Sequence, residues 1–241
     1  MEAAMRALRI KTLRACDFAL REGVIIDYLN ELEAESLPPV PDVADSRLKG
    51  VFAVGRRFGY EENHSLQVAA LAEKIFDALR PIYKLERHER TLLSAAALLH
   101  NIGYHIAHSE HHKHSLYLIK HSELTGFTET ERNIIANVAR YHRGSLPKEK
   151  HVDFMALTES EKQSVRRLGA ILRLANALDR SYCDNVRDVR LTRKNHDLLV
   201  EILSEAECTS ELETAATRAD MFEDAFDCRV VFVRRPLSAK V

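Results

Sequence analysis

The chain has 241 residues, of which 46% are hydrophobic, so it can hold one large domain or a domain with a smaller companion. Its formal net charge is −1 with 29% charged residues, which excludes a globally basic nucleic-acid-binding protein and requires any anion-binding surface to be local. No apolar run approaches the roughly 20 residues that a membrane-spanning helix needs, so we expect no membrane contact.

The N-terminal part, residues 1–40, is predicted to be an arm, because Pro38-Pro39-Val40-Pro41 breaks helical structure and marks a linker. The segment LREGVIIDYLNELEAE has helical spacing, while KTLRACDF has the composition of a strand without a neighbouring partner. There is no uninterrupted apolar segment of the kind found in secretory signals. The four cysteines lack a C-x-x-C spacing, which argues against a zinc or redox motif and favours a reducing cytoplasm.

Residues 41–184 are predicted to form a helical domain. Apolar residues and His64 recur every three or four positions up to Leu79, which indicates a helix that Pro81 is expected to end. A second helix carries His100 on its inner face and stops near Gly103. A third runs through KHSLYLIKHSEL and ends at Gly126.

Two capping boxes open the next helices of this domain. Thr128-Glu129-Thr130-Glu131 precedes a helix whose apolar face includes His142, and Thr158-Glu159-Ser160-Glu161 precedes one whose apolar face includes Asp179. We therefore expect both His142 and Asp179 to point into the core.

The hydrophobic period changes in residues 185–241. VRDVRLTRK and DLLVEIL alternate as strands around a Lys194-Asn195-His196 turn, and CRVVFVRR is predicted to be a third strand. Ser210-Glu211-Leu212-Glu213 has the spacing of a third capping box, which would open a single helix extending to Phe226. The predicted fold is therefore mainly α, with a small β-β-α-β (α+β) region at the end.

Histidine is unusually frequent, with twelve in the chain and seven between His100 and His121. His64, His100 and His142 lie on core-facing stripes of different helices, and helical bundles build metal sites from side chains on facing helices. Imidazole binds several transition metals, but a hydrolytic metal also needs anionic ligands. The histidines therefore point to a metal site or to a buried polar network.

Four segments, in order, resemble the Ppx/GppA phosphatase family of exopolyphosphatases and guanosine pentaphosphate phosphohydrolases: HSLQVAALA, LLHNIGYHIAHSEHHKHSLYLI, IANVARYHRGSLP and RLGAILRLANALDRS. The resemblance covers roughly residues 45–235 and implies a C-terminal, HD-type helical domain at 41–184 with the family's small last domain at 185–241. LREGVIIDYL resembles the closing segment of the family's actin-like phosphatase module, which would account for the arm.

The HD pattern is a histidine, a His-Asp pair and a distant aspartate, and it falls here on His64, His100-Asn101 and Asn176. Both carboxylate positions carry neutral amides, which bind hard divalent cations far more weakly and cannot act as bases. His114 and His142 resemble extra ligand positions of some HD relatives, and Asp179 lies about one turn after Asn176. The candidate metal site is His64, His100, Asn101, His114, His142, Asn176 and Asp179.

The family's phosphoanhydride chemistry belongs to its actin-like module, and no glycine-rich phosphate loop is present here. The main hypothesis is therefore an accessory domain that binds polyphosphate or a guanosine polyphosphate, or forms a homodimer, and serves a separate or upstream actin-like module. The alternative is a metal-dependent HD-type phosphohydrolase with a divalent metal held by the histidines. No residue is assigned a catalytic role.

Polyanions are bound by arginine, lysine and histidine side chains, and the neutral Asn101 and Asn176 would make the cavity less repulsive to phosphate. The candidate phosphate ligands are His111, His112, Lys113, His114, Arg140, His142, Arg143, Lys148, Arg173 and Arg180.

Overall fold

The computed structural model describes residues 47–237. Its helices, in order, are α1 (Arg47–Arg57), α2 (Glu62–Tyr83), α3 (Glu89–Leu99), a 3-10 helix (Ile102–His105), α4 (His111–Lys120), α5 (Glu129–Arg140), α6 (Val152–Met155), α7 (Glu159–Ala177), α8 (Thr209–Thr217) and α9 (Asp220–Phe226). The strands are β1 (Asp188–Lys194), β2 (Asp197–Leu203) and β3 (Arg229–Arg235). The prediction of a mainly α chain with a small α+β end is confirmed.

The helical part is organised around α7, which packs against α2, α3, α5, α8 and α9. Its residues from Leu168 to Ala175 are all buried, because the sequence RLGAILRLANA is apolar on nearly every side. The buried apolar faces of α2, α3 and α5 surround it. Side chains at the C-terminal end of α7 and just after it therefore meet the ends of several other helices.

Both predicted capping boxes in the helical part are confirmed. Thr128 accepts a hydrogen bond from the Glu131 backbone N–H, and Glu131 accepts one from the Thr128 N–H. Thr158 and Glu161 form the same reciprocal pair at the start of α7. Each box satisfies backbone donors that a helix N-terminus otherwise leaves unpaired.

Two predicted helix boundaries are wrong. Pro81 lies inside α2, which continues to Tyr83 and ends at Lys84 in a left-handed conformation. Pro81 has no N–H to bond to the Asp77 carbonyl, so α2 lacks one backbone hydrogen bond there, while the Arg80 carbonyl still accepts from Lys84 and Leu85. The third helix also ends earlier than expected, at Lys120, so Gly126 lies in a later loop.

The third predicted capping box is also wrong. The N-cap of α8 is Cys208, with a positive φ and no side-chain cap. Glu211 instead is buried, and its carboxylate accepts a hydrogen bond from the Ser181 backbone N–H at 3.1 Å. The sequence predicted one helix here, but the structure has two, because the helix is interrupted at Arg218 and Ala219 between α8 and α9.

The sheet has the order β1-β2-β3. β1 and β2 form an antiparallel hairpin, with Asp188 opposite Leu203 and Lys194 opposite Asp197. β3 runs parallel to β2, which requires the crossover that α8 and α9 supply. β1 packs against α2 and α9 packs against α7, so the sheet region contacts the helical part directly.

The proposed arm at residues 1–40, with the KTLRACDF strand, lies outside the described residues. Within residues 47–237, none of the helices has the length and apolar character needed to cross a membrane. The boundary predicted at 184/185 and the HD assignment stay predictions.

Candidate functional site

Three of the predicted histidines lie side by side in the core. His64 comes from α2, His100 follows α3 and His142 follows α5, and each is at most 3% exposed. The ring centroids of His64 and His100 are 5.3 Å apart, and those of His100 and His142 are 4.8 Å apart. The structure thus brings together imidazoles that are far apart in the sequence.

His64 is held by residues at the end of α7. Its Nδ1 lies 2.7 Å from the Asp179 carboxylate, and its Nε2 lies 3.2 Å from the Asn176 side-chain oxygen. Tyr182 stacks on the His64 ring with centroids 3.8 Å apart, and its hydroxyl accepts a hydrogen bond from Asn101 Nδ2 at 3.2 Å. Both ring nitrogens of His64 are therefore engaged.

His100 and His142 make the same hydrogen bond through their ring nitrogen Nδ1. The Nδ1–H of each donates to a backbone carbonyl 2.6 Å away, that of Ala97 for His100 and that of Ala139 for His142. The proton on Nδ1 leaves each Nε2 with a lone pair. Nε2 of His100 has no hydrogen-bond partner among residues 47–237, and Nε2 of His142 lies 3.3 Å from Nε2 of His111.

Burial keeps these histidines neutral. Burial, and then the neighbouring His64, lowers the pKa of His100 to about 3. Burial, with the positive charge of Arg143 among the further causes, lowers the pKa of His111 to about 4. Burial, followed by His100, also lowers the pKa of His142 well below its usual value. His100, His111 and His142 therefore supply donors and acceptors near neutral pH, and no charge.

His111 was predicted as a phosphate ligand, and the packing of α4 brings it to the histidines. Gly103 is in contact with the His111 carbonyl, and an added Cβ would overlap that atom. Ser115 accepts a hydrogen bond from the Gly103 N–H and donates one to the His100 carbonyl at 2.7 Å. A glycine and a serine thus fix the start of α4 against the end of α3.

The donor atoms of this cluster do not form a metal-binding shell as they are placed. In the part of the chain that the structure describes, no group of three or more His, Cys, Asp or Glu side chains is arranged to hold a metal ion. Asn101 and Asn176 lie among the histidines, and the buried side-chain oxygen of Asn101 has no hydrogen-bond partner within residues 47–237. His114 is not among the residues that line the cavity beside the histidines.

That polar cavity is here called the arginine pocket. It is lined by Asn101, Tyr104, His111, His142, Arg143, Asn176, Arg180, Tyr182 and Arg218. Arg143, Arg180 and Arg218 make no salt bridge with any described residue, and no acidic side chain lines the pocket. Three positively charged side chains thus face one cavity whose wall contains no negatively charged side chain.

Arg218 was not predicted, because it lies 38 residues after Arg180, where the sequence pattern indicated only the middle of a helix. The break between α8 and α9 places it at the pocket. Burial, and then the positive charges of Arg173, Arg180 and Arg143, lowers its pKa. Arg173 lies close to Arg218 but has partners of its own. It donates to the Gly144 carbonyl at 2.9 Å and lies 3.7 Å from Asp220.

Two other predicted cations line a different cavity, here called the Arg140 cavity, of about 210 Å³. Its walls are Lys113, Leu116, Asn137, Arg140, Tyr141, His151, Val152, Asp153 and Phe154. His112 is close to both Arg140 and Arg143: burial, and then Arg140, lowers its pKa to about 4, with Arg143 a further cause. Lys148 is exposed and lines neither cavity.

The model of the family described as Ppx/GppA phosphatase, domain III, matches residues 47–216. A guanosine-5'-triphosphate,3'-diphosphate pyrophosphatase of Pseudoalteromonas translucida is 30% identical over 147 residues, which are 61% of this chain and 28% of that protein. An equally named protein of Photobacterium profundum is 27% identical over 176 residues, 72% of this chain and 32% of its own length. The chain thus spans about a third or less of these relatives.

Proposed function

Because the chain belongs to the Ppx/GppA phosphatase family, we propose that its helical part binds the phosphate groups of polyphosphate or of a guanosine polyphosphate in the arginine pocket. The observation that carries this proposal is the group of Arg143, Arg180 and Arg218 around a cavity without a carboxylate. Clustered cations repel one another, and a polyanionic ligand removes that cost.

The relatives' names support phosphoanhydride ligands, since both are pyrophosphatases of a guanosine polyphosphate. The asparagines add to this support, because Asn101 and Asn176 line the pocket with neutral amides that can donate hydrogen bonds to phosphate oxygens. His111 and His142 are neutral and give the pocket polar atoms without charge, so its positive charge comes from the arginines alone. In this proposal the chain holds the ligand, and hydrolysis is carried out by an actin-like module elsewhere in the enzyme.

The enclosed volume of the arginine pocket is about 20 Å³, enough for one water-sized group. A phosphate therefore enters only when side chains at the rim move. Arg143 and Arg180 are exposed and have no ion-pair partner among the described residues, so they can swing outward at low cost.

The metal-dependent hydrolase is the less favoured alternative. The two ring nitrogens of His64 are engaged by Asp179 and Asn176, and the Nε2 atoms of His111 and His142 contact each other. A metal ion would need these contacts to separate. Homodimerisation stays a prediction from the resemblance.

The test is titration of the purified chain with tripolyphosphate by calorimetry at low salt, for the native protein and for Arg218→Gln. Loss of one charge-assisted contact, worth about 1.5–3 kcal/mol, should weaken binding at least tenfold. Lys148→Gln is the matched control, since it removes an equal charge from outside the pocket, and it should bind as the native chain does. Absence of binding, or equal losses in both variants, would refute the proposal.

A further inference from the structure

A second cavity adjoins the arginine pocket and has an opposite charge character. It has a volume of about 320 Å³ and is lined by Gly59, Glu61, Asn101, Tyr104, His108 and Tyr182. Asn101, Tyr104 and Tyr182 line both cavities, so these three side chains form a shared wall. We call it the Glu61 cavity. A ligand that occupies the arginine pocket can extend into it past this wall.

The walls of the Glu61 cavity are aromatic and held in place. Tyr182 adopts a left-handed conformation with φ of 59°, stacks on His64 and is hydrogen-bonded to Asn101. Tyr104 packs against His111 on one side, with centroids 3.9 Å apart, and against His108 at 4.8 Å. Fixed aromatic rings of this kind bind flat heteroaromatic groups by stacking, at little cost in side-chain entropy.

Glu61 supplies the only acidic side chain among the residues that line the two cavities. It is the N-cap residue of α2, yet its side chain caps no backbone N–H. It forms no salt bridge with a described residue, whereas the adjacent Glu62 lies 3.6 Å from Arg56. Its negative charge also contributes to raising the pKa of Tyr182, after burial and Tyr104, which places the carboxylate near that ring.

The two cavities together match a ligand with two unlike ends. Three arginines without salt bridges among the described residues favour an anionic end. The exposed Glu61 carboxylate beside aromatic rings favours a flat end that offers hydrogen-bond donors. Inorganic polyphosphate has no such donors, and Glu61 would repel it. Guanine offers two adjacent donors, N1–H and the N2 amino group, which a single carboxylate can accept together.

We propose that the Glu61 cavity is a base-recognition subsite that selects guanine, with the Glu61 carboxylate accepting from N1–H and N2–H while the phosphates lie in the arginine pocket. This inference rests on the proposed function, because the arginine pocket must hold the phosphates. Tyr182, which His64 covers on one face, stacks against the base, and Tyr104 flanks it. Adenine is selected against, since it presents an unprotonated N1 and no N2 amino group to the carboxylate.

The test compares GTP, ITP, ATP and tripolyphosphate, four ligands that share a triphosphate, by calorimetry on the full chain. GTP should bind at least tenfold more tightly than ATP, and ITP, which keeps N1–H but lacks the N2 amino group, should lie between them. Equal affinities for GTP and ATP would overturn the base subsite.

Glu61→Gln and Glu61→Ala should reduce GTP affinity to that of ATP and leave tripolyphosphate affinity unchanged or slightly higher. Glu62→Gln is the matched control and should keep the preference for GTP. A Glu61 variant that retains the preference would refute the assignment. Circular dichroism and thermal unfolding of each variant show whether the fold is intact.

The two proposals fail in different ways. Without tripolyphosphate binding, the arginine pocket itself is wrong. With tripolyphosphate binding but no preference for guanine, only the base subsite is wrong.

Discussion

The arginine pocket and the Arg140 cavity lie at the same end of α5 and both contain arginine, but their charges are arranged differently. In the Arg140 cavity, Asp153 is part of the wall and pairs with Lys120 at 2.6 Å, and Lys113 pairs with Glu110. In the arginine pocket, no carboxylate lines the wall beside Arg143, Arg180 or Arg218. In the first arrangement carboxylates lie among the cations, although Arg140 itself is buried and makes no salt bridge within residues 47–237. In the second, the cations face the cavity with no carboxylate beside them, so a bound anion would relieve their mutual repulsion.

The difference teaches that cations grouped in the sequence need not act together. Arg140 and Arg143 are three residues apart, yet Arg140 lines one cavity and Arg143 the other. The presence or absence of a carboxylate in the wall, and not the number of cations, distinguishes the two cavities.

The largest expected effect concerns the buried histidines His100 and His111, of which His111 lines the arginine pocket. The pKa of His100 is lowered to about 3 and that of His111 to about 4 from 6.5, with His64, Arg143, His108 and His114 contributing beside burial. The unfolded chain therefore binds more protons, and stability is lost as the pH falls from 6.5 towards 4, by about 1.4 kcal/mol per pH unit for each histidine. Urea unfolding at pH 7, 6 and 5 measures this loss.

Tripolyphosphate should reduce this loss, because a bound anion raises the pKa of His111. Replacing the exposed His121 by Gln should leave the pH dependence unchanged, since that residue touches neither cavity. Stability that stays constant between pH 7 and 5 would show that the buried histidines are not held neutral.

The second prediction adds a carboxylate to the arginine pocket, which then resembles the Arg140 cavity with its Asp153. Asn101→Asp places a carboxylate in the pocket wall, where the Tyr182 hydroxyl can turn to donate to it. Tripolyphosphate affinity should fall at least tenfold through repulsion. Asn195→Asp adds the same charge at the turn between β1 and β2 and should have no effect. Unchanged binding in Asn101→Asp would place the ligand elsewhere.

The smallest expected effect comes from the reverse change. Asp153→Asn removes the carboxylate from the Arg140 cavity and frees Lys120, so weak anion binding should appear there as a few-fold gain at a second equivalent of tripolyphosphate. Asp77→Asn, which removes an exposed partner of Arg90, is the control. If both variants gain equally, net charge and not the cavity determines the affinity.

Much of the fold followed from local sequence signals. The two capping boxes, the apolar faces of the helices and the β1–β2 hairpin all depend on residues within a few positions of each other, and each was predicted. Pro81 and Glu211 were misjudged because their roles depend on the context of the folded chain. α2 continues two residues past Pro81 although the proline has no N–H, and the Glu211 carboxylate accepts a hydrogen bond from the N–H of Ser181, 30 residues earlier.

The candidate site was predictable only in part. The inward spacing of His64, His100 and His142 indicated that they would meet, since each lies on a regular apolar stripe. Arg218 and Glu61 have no such signal, because both lie where a helix begins or ends, and their place beside the histidines is set by tertiary packing. The balance of charges in a cavity likewise depends on which side chains tertiary packing brings together, and local sequence patterns do not show it.

The hydrogen bond between Ser181 and Glu211 joins the C-terminal α+β region to the wall of the arginine pocket. The loop that carries Arg180 and Tyr182 is held at Ser181 by a carboxylate from α8, and Arg218 follows the same helix. Part of the cavity is thus built on residues beyond the predicted boundary at 184/185. Under the proposed function, ligand affinity and the folding of the C-terminal sheet are thermodynamically linked, so a change that loosens the sheet should also weaken binding.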